Sequence, residues 1–161
     1  MMNYDSMLEK ILSHEQAKAL FSPAFRESKR IVFTNGCFDL LHRGHVYYLS
    51  RAREMGDVLV VGLNNDDSVR RLKGEGRPIN DEGARAEVLA ALAMVDHVVL
   101  FGEDTPLNLI HLVKPHILVK GGDYREEDIV GYREVRSWGG QVLTIPVREG
   151  YSSSSIINRI R

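Results

Sequence analysis

From residue 30 onward, the chain alternates between short, β-branched apolar runs and segments whose apolar residues recur at helical spacing. The clearest run, residues 58–63 (VLVVGL), is apolar throughout, as expected for a parallel strand covered on both faces. This alternation predicts an α/β fold: a doubly wound, mainly parallel five-stranded sheet with helices on both faces, Rossmann-like in layout. The predicted strands lie near residues 30–35, 57–63, 96–101, 116–119 and 141–147, and the predicted helices near residues 45–55, 82–93, 105–113, 131–138 and 153–160.

The start of the chain has a different pattern. Apolar residues such as Leu8 and Phe21 stand among charges and lead to Pro23. This predicts a short helical N-terminal extension over residues 1–28, packed outside one main domain over residues 29–161. An apolar extension on a small α/β domain also favours a homo-oligomer, either a dimer or a tetramer.

Composition narrows the range of partners. The 21 basic and 22 acidic side chains nearly balance, so the broad basic surface of a duplex-binding protein is missing and we expect no nucleic acid partner. No apolar run approaches the roughly 20 residues that span a bilayer, so we expect no membrane partner. The single cysteine, Cys37, excludes an intramolecular disulfide and a multi-cysteine metal site. With no secretion signal at the N-terminus, we expect a cytoplasmic protein.

Ligands of doubly wound sheets bind beyond the carboxyl ends of the strands, and the loop after the first predicted strand has the most specific pattern. Residues 34–45 (TNGCFDLLHRGH) place His42 and His45 around Gly44, where the strand passes into a helix. The free N–H groups and the dipole of a helix start attract anions, and a glycine lets a phosphate approach the backbone. The run therefore indicates a nucleotide-phosphate site with imidazole donors. The alternative is a zinc site formed by the two histidines and Asp39.

Three further loops at the same edge carry groups suited to phosphate. Lys73 lies among basic residues and glycines in residues 64–80, which predicts either a mobile segment that closes over anions or a solvated charge. Residues 120–123 (KGGD) allow close backbone approach, with Asp123 placed to hold a ribose hydroxyl or a metal, or else form a bare turn. The serines 152–155 precede the last predicted helix and either meet a triphosphate or only cap that helix.

The usual nucleotide motifs, a Gly-Lys-Ser/Thr loop and a G-x-G-x-x-G turn, are missing. Residues 42–45 (HRGH) instead resemble the H-x-G-H signature of the superfamily that contains class I aminoacyl-tRNA synthetases and small nucleotidyltransferases. The chain is similar to the small enzymes, because it lacks a tRNA-binding appendage. Residues 36–45 resemble the cytidylyltransferase-like group. Residues 71–78 (RLKGEGRP) and 119–124 (VKGGDY) narrow the resemblance, which covers residues 29–161, to the adenylyltransferases of bacterial ADP-heptose synthesis.

That resemblance implies transfer of AMP from ATP to D-glycero-β-D-manno-heptose 1-phosphate, with Mg²⁺ as cofactor, for ADP-heptose and lipopolysaccharide core synthesis. The family is often fused to a sugar kinase, for which this chain has no room, so the resemblance implies a stand-alone adenylyltransferase whose ligands are ATP and a sugar 1-phosphate. Residue types and resemblance together assign catalytic roles to His42, His45 and Lys73; nucleotide binding to Thr34, Asn35, Gly36, Phe38, Asp39, Gly44, Arg85, Gly121, Asp123, Ser153 and Ser154; and substrate binding to Asn64, Asp66 and Lys120.

Several alternatives stay open. Related enzymes commonly carry a lysine after the last serine and threonine cluster. This chain does not, and Arg148 or Arg159 is expected to compensate. Instead of contacting the nucleotide, Arg85 can pair with Asp81 or Glu82 on its own predicted helix. Phosphate motifs barely separate acceptors, which leaves glycerol 3-phosphate or phosphoethanolamine with CTP, FMN with ATP, or a non-catalytic nucleotide-binding sensor.

Overall fold

A computed structural model describes all 161 residues and is built around a six-stranded parallel sheet. Its strands are β1 (Ile11–Leu12), β2 (Ile31–Gly36), β3 (Val58–Asn64), β4 (His97–Phe101), β5 (Ile117–Gly121) and β6 (Gln141–Ile145). The strand order is β1-β4-β3-β2-β5-β6, so the chain winds outward from β2 in one direction and then returns to begin again at β5. The crevice between β2 and β5 is the point at which a doubly wound sheet binds its ligands.

Helices cover both faces of the sheet, which confirms the predicted fold class. The helices are α1 (Tyr4–Leu8), α2 (His14–Leu20), α3 (Pro23–Ser28), α4 (Arg43–Arg53), α5 (Asp66–Lys73), α6 (Glu82–Ala90), α7 (Leu107–Val113), α8 (Tyr132–Ser137) and α9 (Ser153–Ile160), with a short 3-10 turn at Glu126–Asp128. One apolar cluster joins the sheet to α1, α4 and α6, and a second joins its other face to α2, α7 and α8. No helix combines the length and the apolar character that crossing a bilayer requires.

Strand β3 shows why the apolar runs become central strands. All seven of its residues are buried. Val58 and Val60 point into one apolar cluster, whereas Leu59 and Val61 point into the other, as the two-residue period of a strand requires. A run without polar alternation is therefore stable only between two layers of helix, which is where β3 lies.

The N-terminal segment corrects the prediction of five strands and of a purely helical extension packed outside the domain. Ile11 and Leu12 form β1 and pair with Val98 and Val99 of β4, so the segment supplies a sixth strand at one edge of the sheet. Lys10 strengthens the attachment, because its ammonium donates to the Val95 carbonyl at 2.8 Å. Two residues are too few to show a strand period in the sequence. The expected homo-oligomer stays a prediction.

The segment after β3 also differs from the expected mobile loop over residues 64–80, because its first half is the helix α5. Asn65 caps that helix by accepting a hydrogen bond from the Ser68 N–H at 2.9 Å. Asp66 and Asp67 lie in its first turn, whereas basic residues that include Lys73 lie in its last turn, an arrangement that the helix dipole favours. Both signals are present in the sequence.

We expect Phe21→Ala to lower the free energy of unfolding by about 3–5 kcal/mol, since the residue following α2 is part of the core. The Phe21 ring is 5% exposed and packs edge-on against Phe25 and His97, with ring centroids 5.8 and 5.9 Å apart. Urea unfolding followed by circular dichroism measures the loss. The control is Val88→Ala, which alters a side chain that is 49% exposed and is expected to shift stability by less than about 0.5 kcal/mol. A loss of stability in Phe21→Ala as small as that of the control would show that the N-terminal segment is only loosely attached.

Candidate active site

A cleft opens at the carboxyl edge of the sheet, beside the point between β2 and β5 where the strand order reverses. It consists of two adjoining cavities, a larger one of about 620 Å³ and a smaller one of about 320 Å³. The larger cavity extends towards α5 and the loop after β4, and the smaller cavity follows the start of α4 and the loop after β6. The residues that line both cavities form a shared wall: Asn35, Gly36, Cys37, Phe38, His45, Lys120 and Tyr124.

The turn after β2 is strained. Phe38 and Leu40 adopt left-handed backbone conformations, with φ of 45° and 57°, which residues other than glycine rarely occupy. Gly36 makes the turn possible, because a Cβ atom at that position would lie 2.9 Å from Cε2 of the Phe38 ring. A strained turn of this kind persists only when the surrounding structure fixes it.

The buried carboxylate of Asp39 holds this turn against the segment before α6. Its oxygens accept backbone N–H bonds from Ile79 and Asn80 at 2.7 and 3.1 Å, and a bond from Nε of Arg77 at 2.9 Å. Burial favours the protonated acid, but these donors outweigh burial and hold the pKa of Asp39 below its usual value. Asp39 borders the larger cavity while its oxygens are engaged in this clamp, and its predicted contact with a nucleotide stays a prediction.

The two histidines of the H-x-G-H run cap α4 with their own rings. Nδ1 of His42 accepts a hydrogen bond from the Gly44 N–H at 3.1 Å, and Nδ1 of His45 accepts one from the His42 N–H at 3.3 Å. Since both Nδ1 atoms are acceptors, each neutral ring carries its proton on Nε2. Burial lowers the pKa of His42, and burial together with the neighbouring His42 lowers the pKa of His45 to about 4. At neutral pH both rings are therefore uncharged donors.

Gly44 is needed for close packing. A Cβ atom there would lie 2.9 Å from Cε1 of the His42 ring and 3.2 Å from Cβ of Tyr151. The His42 and His45 rings stack with their centroids 3.9 Å apart, so any residue larger than glycine would push this pair out of place. The atoms nearest to Gly44 in the structure belong to the protein. The predicted approach of a phosphate to the Gly44 backbone stays a prediction.

Arg85 lies beneath the floor of the cleft. Its guanidinium donates to the carbonyl oxygens of Cys37 and Asn64 at 2.7 and 2.8 Å, to the carbonyl of Asn80 at 3.0 Å, and to Oδ1 of Asp66 at 2.8 Å. The side chain is 1% exposed and borders neither cavity. The predicted contact of Arg85 with the nucleotide stays a prediction, and the hydrogen bonds that the guanidinium makes in the structure are to protein acceptors. Arg85 thereby joins the loops that surround the site.

Four cations face the cleft, and only Arg77 among them forms a hydrogen bond or an ion pair with the protein. Lys73 ends α5 and lines the larger cavity, Lys120 stands on the shared wall, and no hydrogen bond or ion pair joins either ammonium to the protein. Arg77 lines the larger cavity and is paired with Asp39, while Arg148 lines the smaller cavity and lies over an aromatic ring. Positive charge without a protein partner makes the cleft suitable for a polyanion.

Of the two roles that the sequence left open for the serine cluster, the structure shows the capping role, and contact with a triphosphate stays a prediction. Ser152 caps α9 by accepting a hydrogen bond from the Ser155 N–H at 3.0 Å. Ser153 and Ser154 line the larger cavity, and the Ser153 hydroxyl donates to the Leu40 carbonyl at 3.0 Å. The start of α9 is thereby attached to the strained turn after β2.

Most of the predicted site residues line the cleft. Asn35, Gly36, Phe38, His45 and Lys120 line both cavities; Asp39, Asn64, Lys73, Ser153 and Ser154 line the larger; and His42, Gly44 and Gly121 line the smaller. Thr34, Asp66, Arg85 and Asp123 line neither cavity, and their predicted ligand contacts stay predictions. Thr34 is buried, with Oγ1 2.6 Å from the hydroxyl of Tyr48, Asp66 is bonded to Arg85 rather than to a ligand, and Asp123 is exposed outside the cleft.

Sequence reasoning misses several residues of the cleft. Apart from Arg77, which follows α5, they lie in segments that follow strands, and that position is the signal that could have found them. Their side chains are too varied to show a motif: Arg77, Asp104, Thr105, Tyr124, Asp128 and Tyr151.

The zinc alternative for the two histidines finds no support in the structure. Nowhere do three side chains of His, Cys, Asp or Glu come together as a metal site would require. Asp39 is engaged with its three donors, and the Nδ1 atoms of both histidines accept backbone bonds. Cys37 on the shared wall is no activated nucleophile, since burial raises the pKa of its thiol.

Comparison with known proteins agrees with this geometry. A family model described as cytidylyltransferase-like matches residues 33–159, from the first central strand through the last helix. The chain belongs to the cytidylyltransferase-like family. The resemblance inferred from the H-x-G-H run is thus confirmed at the level of the family.

Within this family the chain has similar relatives of greater length. It is 55% identical over 151 residues to the bifunctional protein HldE of Pelobacter propionicus, an alignment that covers 94% of this chain and 31% of the relative. It is 60% identical over 132 residues to the bifunctional protein HldE of Geobacter metallireducens, with 82% of this chain and 27% of the relative covered. The chain therefore spans about a third of the length of the curated relatives it matches.

Solved structures share the architecture. A lipopolysaccharide core biosynthesis protein from Thermoplasma volcanium is 28% identical, with a TM-score of 0.62 over 77% of this chain and 99% of that protein. A pantoate-beta-alanine ligase from Francisella tularensis has a TM-score of 0.64 over 92% of this chain and 72% of that protein. At 16% identity, the second shows a common fold alone.

We expect nitrogen NMR of the protein to find His45 neutral at pH 6.5, with the proton on Nε2 and a pKa of about 4, and to find the pKa of His42 below its ordinary value. In the unfolded chain both rings have ordinary pKa values near 6.5, so the unfolded state binds more protons between about pH 4 and pH 6.5. Stability should therefore fall as the pH is lowered through that window. A His45 ring that is charged at pH 6.5, or protonated on Nδ1, would contradict the capping geometry.

Proposed function

We propose that this protein transfers AMP from ATP to D-glycero-β-D-manno-heptose 1-phosphate, giving ADP-D-glycero-β-D-manno-heptose and pyrophosphate. The observation that carries the proposal is the pair of cavities that meet at a wall bearing the His45 imidazole and the unpaired Lys120 ammonium. Two adjoining cavities with cationic lining suit two phosphorylated substrates that must be brought together. The family, the HldE relatives and the lipopolysaccharide core protein support the choice of reaction and acceptor.

The proposed chemistry is one in-line displacement at phosphorus. An oxygen of the sugar 1-phosphate attacks the α-phosphorus of ATP and forms a new P–O bond. The bond to the bridging oxygen of the β-phosphate breaks, and its electron pair leaves with pyrophosphate. The attacking oxygen is already anionic, so no protein group needs to remove a proton. Catalysis then rests on alignment and on donors placed where negative charge develops.

The residues of the cleft divide these tasks. His42 and His45 present Nε2–H donors to oxygens of the triphosphate, at the N-terminal end of the α4 dipole. Lys73 neutralises charge from the larger cavity, and Ser153 and Ser154 hold phosphate oxygens there. The backbones of Gly36 and Gly121 allow the nucleotide to approach the sheet, while Asn64 offers an amide to the acceptor.

We expect Mg²⁺ as the cofactor of this reaction, where it offsets phosphate charge and orients the pyrophosphate leaving group. The chain fits an ion whose ligands are mainly phosphate oxygens and water, since it gathers no three ligands of its own. Among the cleft carboxylates, Asp39 and Asp104 are paired with Arg77 and Arg71, which leaves Asp128 to contact such an ion.

The proposed reaction also fixes the surroundings in which the protein works. Its product is a nucleotide-activated heptose of the kind that lipopolysaccharide core synthesis consumes. Its donor is ATP, so we place the protein in the cytoplasm. A second candidate, a nucleotide sensor without activity, is less consistent with the cleft because both donor imidazoles and both unpaired lysines are retained.

Pyrophosphate release decides the substrates. Purified protein with Mg²⁺ is assayed with ATP, CTP, GTP and UTP, each combined with the β-heptose 1-phosphate, glycerol 3-phosphate, phosphoethanolamine and FMN. We expect release only from ATP with the heptose 1-phosphate. Pyrophosphate release from another pair would support the same displacement at phosphorus but with different substrates. Binding of ATP without pyrophosphate release from any pair would favour the nucleotide sensor.

We expect His45→Ala and His42→Ala each to lower kcat on the order of a hundredfold, as the loss of a preorganised donor to a transition-state oxyanion does in other enzymes. The matched control is His111→Ala, which removes an exposed imidazole on α7 that borders neither cavity and should leave kcat within about twofold. Circular dichroism checks that each variant is folded. A folded His45→Ala protein with unchanged kcat would refute the role of the imidazole pair.

A further inference from the structure

With one exception, each lysine or arginine of the cleft lines only one of the two cavities. Lys73 and Arg77 line the larger cavity alone, and Arg148 lines the smaller cavity alone. Lys120 is the only lysine or arginine that lines both. A single ammonium is therefore available to ligands on either side of the shared wall.

The position of Lys120 on β5 explains this access. It is the second-last residue of the strand, and it pairs with β6 together with its neighbours Val119 and Gly121. The side chain is half-buried, and its Nζ lies 5.8 Å from the centre of the Tyr124 ring, which also borders both cavities. The stem is thus held by the sheet edge while the ammonium faces the point where the cavities meet.

The surroundings of the ammonium leave it uncompensated. No carboxylate forms an ion pair with it, and the nearest charged groups include another cation, Lys73. Burial first of all, and the charge of Lys73, lower the pKa of Lys120 from its ordinary value. A buried charge without a partner is unfavourable in the free protein, and an anionic ligand at the junction relieves that penalty.

We propose that Lys120 is a catalytic residue that contacts the phosphates of both substrates at once, bridging the α-phosphoryl group of the nucleotide and the attacking phosphate of the acceptor. This inference rests on the proposed function, because it assumes that one phosphorylated substrate occupies each cavity. In a displacement between them, the reacting atoms must lie where the cavities join. An ammonium there counters the repulsion between the two polyanions and stabilises the charge of the transition state.

The bridging position predicts a distinctive kinetic result. A cation that belongs to one cavity strengthens the binding of one substrate, so its loss raises one KM and spares the other. A cation shared by both cavities acts most strongly when the phosphates of the two substrates come together. Its loss therefore lowers kcat and weakens the binding of both substrates. Lys73 and Arg148 provide the single-cavity comparison in the same protein.

We expect Lys120→Met to lower kcat on the order of a hundredfold and to weaken the binding of ATP and of the acceptor by a few-fold each. Lys120→Arg, which keeps the charge in a bulkier form, should recover part of kcat. Arg148→Met and Lys73→Met should each weaken chiefly the binding of the one substrate whose cavity the residue lines. The unchanged control is Lys18→Met, an exposed lysine on α2 that lines neither cavity.

Steady-state kinetics with the active pair and calorimetric titration of ATP and of inorganic phosphate measure these effects in folded protein. Weaker binding of only one ligand with unchanged kcat would assign Lys120 to a single cavity and overturn the proposal. If the wild-type protein uses a different acceptor, or none, the proposed function fails. The two titrations of Lys120→Met against wild type still decide whether the ammonium serves both cavities.

Discussion

The guanidinium of Arg85 is the interaction on which the cleft depends. A buried charged group must have its hydrogen bonds satisfied, and Arg85 satisfies them with four acceptors from three separate segments of the chain. The first is the loop after β2, the second runs from the last residue of β3 into the first turn of α5, and the third precedes α6. Breaking any of these contacts would leave a buried donor without a partner, so the three segments keep a single relative arrangement. The positions of the side chains above them follow from this constraint.

The charged groups in the floor of the cleft are bonded to the protein, whereas the lysines of its lining are not. Beneath the cleft, the Arg85 guanidinium and the Asp39 carboxylate form hydrogen bonds with protein groups, so the floor is rigid before a ligand binds. Above the floor, the ammonium groups of Lys73 and Lys120 have no hydrogen-bond or ion-pair partner in the protein. The capping of α4 extends the same logic, since backbone N–H groups fix Nδ1 of His42 and His45 and leave Nε2 for a ligand. Such a site needs little reorganisation when charge develops on phosphate oxygens.

Sequence patterns predicted the layers of the fold and the central motif, because both depend on local periodicity and on residue types at fixed spacing. The apolar run of β3 and the histidines of the H-x-G-H run belong to this class. The patterns did not predict what depends on distant partners. Whether Arg85 meets a ligand or four protein acceptors is decided by burial, and β1 exists only because β4 offers a free edge. The helix α5 was predictable, since its cap and charge distribution are local signals, but its basic residues and the glycines that follow it suggested a loop.

The short β1 has a consequence for how the protein behaves at high concentration. An unpaired strand edge is a template on which another chain can add a strand, and long flat edges lead to aggregation. Here the exposed edge beyond β4 is occupied by a strand of only two residues, and the chain turns into α2 directly afterwards. His14 of α2 also bonds to the Leu100 carbonyl of β4, so a strand added on this side could pair only with the two residues of β1. The same few residues that complete the sheet also bring its growth on that side to an end.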